Sequence, residues 1–142
     1  MKPVLQTLDG PRGDCFLACL ASILELPLGE LPDFQALLPG FSEGPQAWGA
    51  RFLSGVNGWL ATFGLAYFEL NTAPDSLPDP VLDSLVLSGV FWIGLLEADT
   101  GPWHAVVMRG RLVAHGPLPE RKKPPGERLV GAGVLLAVVP RG

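Results

Sequence analysis

The sequence predicts an α+β fold, with helices in the N-terminal half packed on an antiparallel sheet in the C-terminal half. Three observations carry this. Between residues 15 and 64 the apolar residues recur at steps of three and four, the spacing of a helix face. After residue 90 they come as short valine- and leucine-rich runs divided by turn residues, the pattern of strands. The order, helices first and strands after, is that of an α+β domain rather than of alternating βαβ units.

Size and composition fit one domain over residues 1–142. The chain has 142 residues, 48% of them hydrophobic and 17% charged, which suffices for one core and excludes general disorder. The net charge of −4 argues against nucleic acid as a partner, since such proteins present a basic face. No uninterrupted apolar run reaches membrane-spanning length, so no membrane association is expected. The N-terminal "MKPVLQTLDG" is too short and polar for a signal peptide, which places the expected location in the cytoplasm.

Residues 1–14 read as an extended lead-in. Asp14 stands where a helix N-cap belongs, and Phe16, Leu17, Leu20, Ile23 and Leu24 give a helix of about ten residues that Pro27 should end. "PLGELPDF" reads as a turn followed by one short helical turn. Residues 35–45, with two glycines and two prolines in "QALLPGFSEGP", read as a loop. Over 46–64, Trp48, Phe52, Leu53, Val56, Trp59, Leu60 and Phe63 mark a second helix, with Gly64 as its cap.

"LAYFEL" (65–70) reads as a strand, residues 71–80 as a loop and 81–88 as a short helix. Strands then follow over 90–97, 103–110, 111–116 and 129–139. Gly110 in "RGR" gives a tight hairpin between the second and third of these. The unbroken apolar character of the last predicts a position inside the sheet. Residues 117–128 read as a charged, proline-rich loop.

Two cysteines, Cys15 and Cys19, lie on the first helix, and i, i+4 spacing does not staple a fold, so both read as free thiols. No metal site is expected, because the cysteines lack the knuckle spacing of zinc ligands. Cys15, at the helix start, faces free backbone N–H groups and the positive end of the helix dipole. Both lower a thiol pKa and both can hold an oxyanion, so the position suits a nucleophile. Cys19, one turn deeper, reads as core. A thiolate nucleophile needs a base, and the histidines available are His104, at the start of a strand, and His115, at the end of the next.

Other features read as structure. The glycines of "GVNG" (55–58) and "GAG" (131–133) lack the context of a phosphate loop. Asp75, Asp79 and Asp83 do not have calcium-loop spacing. Trp103 reads as core or as the wall of a cleft beside His104. Arg121, Lys122 and Lys123 read as a solvated loop or as the contact for an acidic partner.

The segments "QTLDGPRGDCFLACLASILELPLGELPDF" and, at residues 101–120, "GPWHAVVMRGRLVAHGPLPE" resemble the papain-like cysteine hydrolases. They are closest to small bacterial and phage-type members with an N-terminal glutamine, a Gly-Asn/Asp-Cys segment and a late His-Ala-Val strand. The element order agrees over most of the chain. The resemblance implies Cys15 as nucleophile, His104 as base and Gln6 as an oxyanion-hole donor, with no cofactor. Members of this kind carry an acid after the next strand, often in a His-Asp-Pro segment. Here that segment is His115-Gly116-Pro117, so the base would need another orienter, such as His115, a backbone carbonyl or a water. Two readings follow: a hydrolase acting on an amide or peptide bond of a peptide or protein substrate, or a catalytically degenerate scaffold that binds or inhibits a protein partner.

Overall fold

The fold is described from a computed structural model, over residues 1–8, 14–34, 45–71, 89–97, 104–118 and 129–138. It is α+β: helices α1 (Cys15–Leu24) and α2 (Pro45–Leu60) and strands β1 (Leu65–Asn71), β2 (Phe91–Leu96), β3 (His104–Arg109), β4 (Leu112–His115) and β5 (Leu129–Ala137). The strands form one antiparallel sheet in the order β1-β5-β2-β3-β4. The apolar last strand is thus interior, as its sequence predicts. By its contacts the chain divides into two compact units. The first comprises Met1–Leu31 with Glu69–Val134, the second Pro32–Phe68 with Leu135–Gly142.

In the first unit, α1 packs against β2 and β3. Its middle is buried without a break from Leu17 to Ser22. Small side chains make this feasible: Ala18, Cys19, Ala21 and Ser22 let neighbouring backbone approach on every side, as in a helix with no solvent face. The helix ends at Glu25, which takes a left-handed φ of 60°, before the predicted stop at Pro27. The reason is local. Leu26 precedes a proline and is disfavoured in helical geometry, so the chain must turn out one residue earlier.

The β2–β3 ladder runs from Phe91↔Arg109 to Leu96↔His104. Residues opposite each other share a face, so Trp92, Leu96, Val106 and Met108 gather with Ala132 in one cluster, flanked by Leu129 and Val134. Gly94 belongs to this face, and a Cβ there would lie 2.9 Å from Met108 Cγ and 3.2 Å from Leu129 Cδ1. The glycine therefore makes room for the cluster. The β3–β4 hairpin closes through Gly110 and Arg111 between the Arg109↔Leu112 pair, with a positive φ of 61° at Gly110. Trp92 donates its indole N–H to the Gly110 carbonyl at 3.1 Å, tying the hairpin to the core.

In the second unit, α2 is followed by a single 3-10 turn, Ala61–Phe63, and stops at Gly64 with φ 68°. Phe34 meets Phe52 and Trp59 edge-on, at centroid separations of 6.2 and 5.9 Å, and Trp59 meets Phe63 at 5.0 Å. Asn57 closes a pair of bonds on the backbone of Tyr67: its Nδ2 donates to the carbonyl at 3.1 Å and its Oδ1 accepts the N–H at 2.6 Å.

Of the loops expected over 35–45 and 71–80, Pro45 instead opens α2 and Asn71 closes β1; their other residues, the short helix at 81–88, Asp75, Asp79, Asp83, Trp103 and the basic cluster at 121–123 lie outside the described residues, as does the side chain of Trp48. Of the expected charged loop over 117–128, the first residue is different in kind: Pro117 is fully buried.

Candidate active site

Residues 2–8 form an extended strap beside α1. Lys2 N–H donates to the Ser22 carbonyl at 3.0 Å, and Val4 N–H to Ser22 Oγ at 2.9 Å. At the other end of the helix, the Asp14 carboxylate accepts Thr7 N–H at 2.9 Å, Leu8 N–H at 3.0 Å and the Thr7 hydroxyl at 2.7 Å. The strap's other neighbour is the segment after β4. His115 Nε2 lies 2.8 Å from the Val4 carbonyl, and Gln6 N–H donates to the Pro117 carbonyl at 2.8 Å. Because a carbonyl only accepts, His115 carries its proton on Nε2.

Asp14 occupies the N-cap position, and its carbonyl accepts Ala18 N–H at 2.8 Å. Its side chain makes no capping bond, contrary to the expectation from sequence. The strap's amides take the carboxylate instead, leaving the first-turn N–H groups of α1 for the cysteine. Cys15 follows at once, half-buried. Its Sγ accepts the N–H of Ala105 at 3.5 Å, a bond that spans ninety residues of chain and sets the helix start beside the start of β3.

His104 is the residue before Ala105 and the first of β3. It is 5% exposed, and its Nε2 has no hydrogen-bond partner among the described residues. By register its ring lies on the sheet face of Leu96 and Val106. Gln6 is buried, and its Nε2 donates to the Leu8 carbonyl at 3.0 Å. Gly116 sits between His115 and Pro117, and among the described residues nothing lies within 4 Å of a Cβ built there.

The structure thus joins Cys15 to β3 next to His104, and joins Gln6 through Thr7 and Asp14 to the same helix start. It engages His115 with the strap at Val4. Sequence reading missed Ser22 and the clamping role of Asp14. Ser22 had a legible signal, a polar residue within an otherwise apolar helix.

Electrostatics correct one expectation. The helix start was expected to lower the Cys15 thiol pKa, but burial pushes it above its ordinary value. The N–H groups of Ala105 and Phe16 act against burial, and the Asp14 charge adds to it. Burial alone pushes His104 below its ordinary 6.5. Near neutral pH the site therefore holds a neutral thiol and a neutral imidazole. A neutral imidazole is the form able to accept a proton. Cys19, fully buried one turn deeper, is pushed well above its ordinary value by the same desolvation, in line with a core thiol.

Comparison with protein-family models, with curated proteins and with solved structures finds no significant match to this chain. Among the described residues no group of three or more His, Cys, Asp or Glu side chains is placed to hold a metal ion, and no helix is long and apolar enough to cross a membrane.

Proposed function

We propose that the protein is a papain-like cysteine hydrolase that cleaves an amide or peptide bond in a peptide or protein substrate. The observation that carries this reading is the Ala105 N–H···Sγ Cys15 bond, which puts a helix-start thiol beside the residue that follows a buried, neutral histidine. In this mechanism His104 takes the thiol proton as Cys15 Sγ attacks the carbonyl carbon. The oxyanion is held by N–H groups at the start of α1 and by Gln6 Nε2. His104 then protonates the leaving amine, and water hydrolyses the thioester with His104 again as base, releasing the acid and restoring the thiol.

A second reading, a degenerate scaffold that binds a protein partner, is favoured by two observations. No side chain stands at Gly116, and His104 Nε2 has no partner among the described residues. An unoriented base costs orders of magnitude in rate without disturbing the fold.

Turnover of a fluorogenic peptide and isopeptide library, with Cys15→Ala and His104→Ala as controls, separates the two. The hydrolase reading expects turnover that both variants abolish and that Gly116→Asp raises at least about tenfold, since no described residue lies within 4 Å of the Cβ it adds. No turnover in wild type or Gly116→Asp, together with a stable complex recovered from the native host, would favour the binding reading.

A further inference from the structure

Asp14 is 7% exposed, and its carboxylate does not cap the helix it precedes. Three donors converge on it from one stretch of strap: two on Oδ1, the N–H groups of Thr7 and Leu8, and the Thr7 hydroxyl on Oδ2. A buried carboxylate so bonded is held in place, and it holds its partners in return. The residue on one side of the clamp is Cys15; the residue before Thr7 is Gln6.

We infer that Asp14 is a positioning residue: its carboxylate fixes the Gln6–Leu8 segment against the helix start and thereby sets the mouth of the Cys15 thiol site. The inference rests on the reading of Cys15 as the reactive thiol. It assigns Asp14 two effects on that thiol. Geometrically, the clamp keeps the strap close to Sγ. Electrostatically, an anion at the adjacent residue opposes formation of a thiolate. The thiol is held in reserve until a base removes its proton.

Two substitutions separate these effects. In Asp14→Asn the amide oxygen can still accept Thr7 and Leu8 N–H, while the hydroxyl of Thr7 turns to accept from the amide, so the clamp stays and the charge goes. In Asp14→Ala both go. Hydrogen exchange of the Thr7 and Leu8 amides reads the clamp. The pH dependence of Cys15 alkylation by iodoacetamide reads the charge. Cys19, buried on the same helix, reads unfolding of α1.

Asp14→Ala is expected to expose both amides and to raise Cys15 labelling at neutral pH at least about fivefold with Cys19 unchanged. Asp14→Asn is expected to keep both amides protected while the midpoint of Cys15 labelling moves to lower pH. Wild-type exchange and labelling in Asp14→Ala would overturn the inference, as would Cys15 and Cys19 rising together, the mark of a purely structural role. Should Asp14→Ala not fold, an unchanged midpoint in Asp14→Asn overturns the inference by itself. These measurements need no substrate, so an absence of hydrolysis would count against the proposed function and not against the role of Asp14.

Discussion

Cys15 and Cys19 differ by one helical turn, and that turn divides a half-buried thiol bonded to Ala105 N–H from one with no exposure at all. Iodoacetamide should therefore modify Cys15 at least about tenfold faster than Cys19 in the native protein, read by mass spectrometry of the two sites. Equal rates would mean that labelling proceeds through unfolding. His104 imposes a cost of a different kind, a buried ring nitrogen without a described partner. Replacing an unsatisfied buried group by an apolar one recovers about 1–3 kcal/mol. His104→Leu should thus be more stable than wild type in urea unfolding while losing whatever activity the protein has. A destabilised His104→Leu would indicate that the nitrogen has a partner in the folded protein.

The same two residue types shape stability against pH. The His104 pKa is depressed on folding, so its contribution is complete above about 6.5 and is lost as pH falls through the lower folded value. Cys15 and Cys19 are raised on folding, so theirs is complete below about 9 and is lost as pH rises toward their folded values. Melting temperature should plateau between these limits and fall on both sides. The acid limb should flatten in His104→Leu and the alkaline limb in Cys19→Ala.

At the scale of elements, the periodicity of the sequence located the two α-helices and five strands of the described residues, because each carries its own pattern in consecutive residues. What it could not locate depends on partners distant in sequence. Asp14 reads as a cap because nothing in the chain announces that Thr7 and Leu8 will take its carboxylate. The helix start reads as a place that acidifies a thiol, because a sequence does not reveal how deeply Cys15 is buried. Nothing in the sequence marks Gly94, and only Met108 and Leu129 beside it show why no side chain fits. Gly94→Ala should cost about 1–3 kcal/mol, seen as a lower urea midpoint at an unchanged slope. Ser22→Ala, which leaves Val4 N–H without its acceptor, should cost about 1–2 kcal/mol and speed exchange of that amide.

At the scale of the whole molecule, β1 and β5 each contribute residues to both compact units, so neither unit owns a complete set of strands. In the second unit, Asn57→Ala, which removes both bonds to the Tyr67 backbone, should cost about 1–3 kcal/mol, read as a lower urea midpoint. Within the first unit, chain that is remote in sequence converges on the start of α1: β3 with His104, and the strap from the N-terminus, which in turn bonds the segment after β4 at Pro117. Cys15 and His104 stand out in the sequence as candidates by residue type and position, and Gln6 only through the resemblance. Their joining through Asp14, Ala105 and Pro117 was not legible, because backbone contacts across ninety residues leave no local pattern.

The central claim is that His104 serves Cys15 as its base. It is tested most directly by the rate of Cys15 alkylation at neutral pH in wild type and in His104→Gln, with Cys19 as the internal control. With the thiol held neutral, removal of its proton should depend on the imidazole, and His104→Gln should slow Cys15 about tenfold or more while leaving Cys19 unchanged. Indistinguishable Cys15 rates in the two proteins would contradict the claim.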